Sequence, residues 1–427
     1  MSTNTGESYW DIVKKQFRKN KLAVFSLRIL YVLLFIGLAA DFLANEKPLV
    51  CKLNGEWYFP IFRSYLVDWG WGAWPKSFQN ADWLNMKYDF AIYPPVPYSP
   101  TTVDLANGDY ASPLKKQDVA SFRWRHHLGT DQIGRDVLAG LIHGTRIAML
   151  VGVVSMAIAT VIGIVLGSIA GYFGDNRLQV SRGRLFLNIL FLFFAWFYAF
   201  HVRGYTMEVA LAEGFGNFVF QFLISLAIFS AIMAIPNMLA LLLKRIPWFA
   251  VKVTIPVDIL ISRAIEIIIS IPTLLLILSI TAIVKKPSIM LIMVIIGLTG
   301  WTGIAKYIRA ELLRVRSLEY IEAAQALGYS EGRIIFKHAI PNALTPVLIA
   351  VAFGVAGAIL VESSLSFLGI GVQAEVITWG KLLSTARENS AAWWLAVFPG
   401  FAIFITVTIF NLLGEGLTDA MDPRLKQ

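Results

Sequence analysis

Eight runs of predominantly apolar residues constrain this chain more than anything else in it, at 22–44, 147–170, 185–202, 218–243, 260–284, 288–305, 343–361 and 392–413. A helix needs about 20 such residues to cross a bilayer. One run of this kind can lie in the core of a soluble domain. Eight in 427 residues, with 57% hydrophobic and 15% charged residues, cannot all be hidden from water by a soluble fold. The mean hydropathy of +0.64 points the same way. Inside hydrocarbon every backbone N–H and C=O needs an internal partner, so the runs are expected to be helices. The fold class read from the sequence is therefore all-α, a polytopic membrane protein of about eight spans.

The formal net charge of +9 taken alone suggests a nucleic-acid-binding signature, but the basic residues flank the apolar runs. The positive-inside rule accounts for them, and no nucleic-acid partner is expected. Lys14, Lys15, Arg18, Lys19 and Lys21 precede the first run and set the tail 1–21 on the cytoplasmic side. That run lacks a small-residue cleavage site, so it reads as a retained span. Counting onward puts 171–184, 244–259 and 306–342 inside, and their Lys and Arg content agrees; Lys285-Lys286 departs from the rule locally. An even number of spans returns the C-terminus to the cytoplasm.

The chain offers little for catalysis. Cys51 is the single cysteine, and the five histidines make no HExxH or Cys/His ligand spacing, so no metal site is expected. No G-x-x-x-x-G-K-S/T sequence is present, so nothing here should cradle nucleotide phosphates. Within the spans, Arg263 and Glu266 are one turn apart and suited to pairing. Arg28 and Asp41, near opposite ends of the first run, are placed to snorkel. Glu362, at the outer end of the seventh run, is the acid nearest a substrate path.

The polar passage between the sixth and seventh runs reads IEAAQALGYSEGRIIFKHAIPNA. Ala323 and Ala324 favour helix and allow a partner close approach. Gly328 permits the left-handed turn that ends a helix, and Pro341 suits the start of a second one. A charged helix-turn-helix between spans is a docking site in waiting. Glu322-Ala323-Ala324, then Gly328 after three residues, then Ile340-Pro341, resembles the EAA loop of ABC importer permeases. His338 and Ile340 stand where that family usually has Ile and Leu. The resemblance implies that Glu322, Ala323, Ala324, Gly328, Ile340 and Pro341 couple to a cytoplasmic ATPase.

The likeness extends over most of the chain. His127 to Asp136 (HLGTDQIGRD) is similar to a segment of dipeptide and oligopeptide permeases of the C type, and Asp131 is expected to cap the helix carrying Arg135 and Asp136. Glu362 to Gly371, Asn411 to Gly414 and Asp419 to Leu425 match later signatures, with Gly369 and Gly371 shaping a turn. The first outer loop holds Asn45 to Leu49 and Gly55 to Pro60, similar to the Yej-type subgroup that imports peptides and peptide-like antibiotics such as microcin C. Its many Trp, Tyr and Pro residues fit a compact lid with little regular structure, or a peptide-binding surface. The resemblance implies a type I importer permease core of six spans. It also implies a homologous second permease subunit, two ABC ATPase subunits holding ATP and Mg, and an extracytoplasmic peptide-binding protein, all in a bacterial inner membrane. No cofactor is expected on this chain.

One stretch departs from the family pattern. Members pass from a Gly-Tyr-Phe-Gly motif, here Gly171 to Gly174, almost directly to a span like the one near Asp258, whereas this chain inserts 175–257 with the runs 185–202 and 218–243. The first of these is short and Phe-rich, which fits a tilted, interfacial or re-entrant segment. The domain reading is then a tail 1–21, a span 22–44, an outer loop 45–146, a span 147–170, an inserted apolar hairpin within 171–259, and a permease core 260–427 with its coupling loop at 318–342. The functional reading is a non-catalytic permease subunit of an ATP-driven peptide importer. A nickel or other small-solute permease of the same family is the alternative, and a secondary carrier or a membrane-anchored enzyme or receptor is the rival class.

Overall fold

The structure, a computed structural model, describes residues 9–79, 81–283, 288–370 and 376–421. Gly371, Lys285-Lys286 and the Asp422 to Leu425 ending lie outside these residues. In chain order the first half carries α1 (Tyr9–Lys19), α2 (Lys21–Leu38), α3 (Ala40–Leu43), β1 (Val50–Leu53), β2 (Glu56–Tyr58), α4 (Pro60–Asp68), β3 (Phe90–Ile92) and α5 (Val137–Ser168). Then come β4 (Gln179–Ser181), α6 (Arg182–Trp196), α7 (Gly204–Glu213), α8 (Phe215–Leu242), α9 (Pro247–Ala250), β5 (Lys252–Thr254) and α10 (Val257–Ser270). The last part holds α11 (Thr273–Ile283), α12 (Ile289–Val315), α13 (Glu319–Ala326), α14 (Glu331–Ile334), α15 (Ile340–Ala343), α16 (Thr345–Phe367), α17 (Trp379–Thr385) and α18 (Trp394–Met421).

Among the described residues seven helices are long and apolar enough to cross a membrane, and the bent pair α10–α11 makes up to eight. The sequence reads that pair as one span, 260–284. The structure breaks it by 82° at Ile271-Pro272, because the residue before a proline is driven out of the helical region. The second span begins ten residues earlier than its apolar run, at Val137, where the Asp136 carboxylate caps α5. The outer loop also has more regular structure than a plain lid: β1 pairs antiparallel with both β2 and β3, and α4 follows β2.

The chain divides into two compact units, residues 1–168 with 265–427, and residues 169–264. In the first unit α5 is central, with α2, α12 and α16 packed on it. The α5–α12 approach is close because Gly163 and Gly167 form a small-xxx-small pair. A Cβ at Gly163 would sit 2.7 Å from Ile304 Cβ, and one at Gly167 would sit 2.6 Å from the Ala305 carbonyl. Ser155 Oγ donates to the Met293 carbonyl at 2.9 Å across the same contact, the kind of interhelical bond worth about 0.6 kcal/mol in a membrane. Asp41 does not snorkel: Arg146 of α5 donates to its Oδ2 at 2.7 Å and Tyr65 of α4 at 2.5 Å.

Both ends of the described chain lie at one end of this bundle. Val13 of α1 packs with Ala420 and Met421 of α18 and with Ile349 in the first turns of α16, and Asn20 Nδ2 donates to Asp419 at 3.1 Å.

In the second unit α6 packs against α8. Arg203 ties the pair by donating to Ser225 Oγ at 2.9 Å and Gln221 Oε1 at 2.6 Å. The helical stretch Arg182–Leu211 is 30 residues long, through a wide π turn at Phe197–His201, and so exceeds the short run read from the sequence. The polar residues Arg203 and Glu208 interrupt its hydropathy, and the helix itself pauses in a turn at Val202-Arg203 before α7. α8 is apolar on all sides and almost wholly exposed, as a lipid-facing helix must be. β4 and β5 pair at the base of the unit.

Candidate functional site

The polar passage between α12 and α16 folds as α13, a tight turn, and a second helical stretch through α14 and α15. The turn is a Schellman motif: Gly328 N–H donates to the Gln325 carbonyl at 2.9 Å, and Tyr329 N–H to the Ala324 carbonyl at 3.2 Å. The motif needs a left-handed residue, and Gly328 supplies it with φ +76. Arg333 then lies 4.7 Å over the Tyr329 ring, and the His338 ring stacks with it at 6.4 Å.

Ile321, Ala324, Ile334, Ala339 and Ala343 are buried, which holds the passage against the bundle. Glu322, Ala323, Gly328 and Pro341 are exposed and Ile340 is half-buried. Two expectations need correction. Ala324 faces inward, because it stands three residues from the buried Ile321 on the same helical side. Pro341 does not restart a helix: the backbone stays helical from Glu331 to Ala343, widened at Ile335–Ala339, where Ile340 N–H reaches back to the Ile335 carbonyl. That wider turn makes room for the proline ring, which otherwise clashes with the carbonyl four residues back. The interruption comes after it, at Leu344, and Pro346 sits in the first turn of α16. Leu327 and Phe336, at 73% and 75% exposure, are large apolar side chains on this surface that motif spacing does not single out.

The two helices joined by this passage also line one cavity of about 360 Å³. α12 contributes Ile296, Gly300, Gly303 and Tyr307, and α16 contributes Ala350, Gly354, Gly357 and Val361. Each set repeats every three or four residues, so each is a single helix face. Among the described residues, nothing lies within 4 Å of where a Cβ would stand at Gly303 or Gly357. Glu362 is not on the cavity wall; it is 1% exposed, and Ser366 Oγ donates to its Oε1 at 2.5 Å.

At the opposite end of the bundle from the termini, residues 104–136 form a polar knot. The buried His126 ring joins two carboxylates, with Nδ1 2.8 Å from Asp136 Oδ2 and Nε2 3.1 Å from Asp104 Oδ2. Burial opposes protonation of His126, but the two carboxylates outweigh it and hold its pKa above the ordinary histidine value. Burial would likewise raise Asp104, yet hydrogen bonds from Asn107 and His126 leave its pKa lowered. Asp131 does not cap α5. Its carboxylate accepts from the Ile133 and Arg135 N–H groups and from Arg135 Nε at 2.7 Å, closing a turn, and Asp136 is the cap through its bond from Ala139 N–H at 2.7 Å. Gly369 adopts φ +78, in a turn as expected.

A multi-span bundle with an exposed two-helix passage joining the helices of a membrane cavity defines a membrane transport subunit. Residues 247–427 match the family described as binding-protein-dependent transport system inner membrane component. Residues 8–54 match the N-terminal TM domain of oligopeptide transport permease C. The chain is 27% identical over 413 residues to the inner membrane ABC transporter permease protein YejE of Escherichia coli, covering 96% of this chain and 95% of that one. It is 26% identical to the oligopeptide transport system permease protein OppC of Haemophilus influenzae, over 98% of this chain and 90% of the relative. It is 28% identical to the dipeptide transport system permease protein DppC of Alkalihalophilus pseudofirmus, over 75% and 80% respectively.

Proposed function

We propose that this chain is the permease subunit of an ATP-driven importer of di- or oligopeptides, docking a separate ATPase on residues 318–342 and lining one side of the solute path. The observation that carries this reading is the connection of α12 to α16 by the exposed passage, since both helices line the 360 Å³ cavity. A push on Glu322, Ala323, Leu327 or Phe336 is delivered to both walls of the path without an intermediary, and rigid helices transmit such motion well.

The passage sits at the same end of the bundle as both termini, because Ile349 at the start of α16 packs on Val13 and Met421. In this reading that end is cytoplasmic, and the polar knot and the 45–136 region are extracytoplasmic. Gly303 and Gly357 leave the cavity wall open, which suits a homologous second permease chain on the other side. ATP and Mg bind on the ATPase partners, this chain performs no hydrolysis, and an extracytoplasmic binding protein delivers the solute. Peptides are favoured over nickel by the substrates in the names of the relatives OppC, oligopeptide, and DppC, dipeptide.

The test is uptake by the reconstituted complex, with this chain, a second permease, ATPases and a binding protein in sealed vesicles. ATP-dependent accumulation of a labelled peptide, and no accumulation of nickel, is the expected result. Transport by this chain alone, without ATPases, would return the secondary-carrier reading.

A further inference from the structure

We propose that α4 lies in the plane of the membrane interface at the end of the bundle away from the termini, its aromatic stripe immersed among the acyl chains of that leaflet. Phe59, just before the helix, and Phe62, Leu66 and Trp69 recur at intervals of three and four residues, so they share one side. All four are exposed, Trp69 by 63%, and Trp57 and Trp71 beside them are exposed as well. Pro60 and Ile61 face inward and hold the helix to its neighbours. A contiguous apolar surface of this size is not left in water without a partner.

The depth of α4 identifies the partner. From Lys21 to Asp41 the chain climbs 20 residues of almost continuous helix, about 30 Å at 1.5 Å per residue, which is the thickness of the hydrocarbon core. Asp41 therefore marks the far boundary of the core, and Arg146 meets it there at 2.7 Å. α4 is fixed at this level by two contacts. Tyr65 Oη donates to Asp41 Oδ2 at 2.5 Å, and the Phe62 ring lies 5.2 Å from that of Phe42.

The stripe on α4 also continues a lipid-facing surface. Tyr31, Val32, Phe35 and Leu38 are exposed along α2, and Leu38, at 79%, ends that row three residues before Asp41. A groove of about 260 Å³ opens beside the stripe between Phe59, Phe62, Leu66, Trp74 and Phe78, with walls suited to an acyl chain end. Trp and Tyr concentrate at this depth in membrane proteins, and amphipathic helices bury their apolar side 5–10 Å into it. A soluble partner would instead need this face held clear of the bilayer, which the Asp41 and Phe42 contacts prevent.

Spin-label accessibility tests this in the assembled complex in phosphatidylethanolamine–phosphatidylglycerol vesicles. Cys51 is the sole cysteine, so a Cys51→Ala background takes single labels at Leu66→Cys, Trp69→Cys, Asp68→Cys and Lys87→Cys. Labels at 66 and 69 are expected to collide readily with oxygen and poorly with an aqueous nickel chelate, with the order reversed at 68 and 87. Equal access to the chelate at all four positions would overturn the proposal. So would protection of 66 and 69 only after a soluble binding protein is added, which would make the stripe a protein-docking face. Where the cysteine-free background does not assemble, brominated-lipid quenching of native fluorescence replaces it: Trp69→Phe with Trp71→Phe is expected to lower the quenched fraction, and an unchanged fraction overturns the proposal.

Discussion

The Asp136 carboxylate serves two elements at once: its Oδ2 lies 2.8 Å from His126 Nδ1, while its Oδ1 accepts the Ala139 N–H that opens α5. The start of a central membrane helix is thereby tied to a buried imidazole. The His126 pKa is raised, so its contribution to stability is fully present below the ordinary histidine value near 6.5 and is lost as pH rises through the folded value. The lowered Asp104 contributes above the ordinary carboxylate range and loses that contribution in acid. Thermal melts of the purified complex from about pH 5 to pH 8.5 should show midpoints that fall toward the alkaline end. His126→Asn should remove the pH dependence of that fall and destabilise by about 3 kcal/mol at mildly acidic pH, the scale for breaking a buried pair. A variant that keeps the wild-type pH profile would show that the imidazole is not the titrating group.

Gly328 is the position at which the proposed coupling role can be tested apart from folding. Its φ of +76 disfavours any residue with a Cβ by about 1–2 kcal/mol, but among the described residues no atom lies within 4 Å to clash with one. Gly328→Asp is therefore expected to insert and accumulate normally while uncoupling ATP hydrolysis from uptake, and Gly328→Asn, which tolerates the left-handed region, should retain more function. Peptide-stimulated ATPase activity and uptake in the same vesicles measure both. Normal uptake by Gly328→Asp at wild-type abundance would remove the coupling role.

Much of this arrangement was legible because membrane helices obey a strong rule. Hydrocarbon demands apolar side chains in long runs, so the spans stand out, and the Gly328 turn follows from a single residue type in a single context. The break at Ile271-Pro272 hides inside an unbroken apolar run, since hydropathy does not register backbone geometry. His126, beside the motif residue His127, does not stand out in the sequence because its partner Asp104 lies 22 residues away in a loop without periodicity. Pro341 misleads for a related reason: a π turn absorbs its ring, and nothing in local composition announces that widening.

The α5–α12 contact should be the least forgiving part of the bundle. At Gly163 an added methyl would meet Ile304 Cβ at 2.7 Å and the Trp301 carbonyl at 3.0 Å, and at Gly167 it would meet the Ala305 carbonyl at 2.6 Å and Ala305 Cα at 3.0 Å. Backbone cannot step aside as a flexible side chain can. Gly163→Ala and Gly167→Ala should each cost about 1–3 kcal/mol through overpacking. Gly163→Leu should fail to assemble. Detergent melting temperatures of the complex report the first effect and membrane abundance the second; wild-type stability for Gly167→Ala would mean that the helices lie further apart than described.

The cavity face and Glu362 make opposite demands on the same helix. Gly357 points into open space on the cavity side of α16, whereas Glu362, five residues on, is buried and hydrogen-bonded by Ser366. A bulky residue at 357 therefore has somewhere to go, and what it fills is the path itself. Gly357→Trp, and Gly303→Trp on the facing helix, should leave stability within about 0.5 kcal/mol of wild type, as substitutions without clash do, while peptide uptake falls at least tenfold and ATP hydrolysis continues. Glu362→Ala should act the other way round. It leaves the Ser366 hydroxyl without its acceptor in a buried setting, a loss of about 1–3 kcal/mol, and so lowers abundance while the surviving complexes keep their peptide preference. Uptake per assembled complex, measured with a series of peptides, distinguishes the two. A changed preference in Glu362→Ala, with abundance intact, would move that carboxylate onto the solute path.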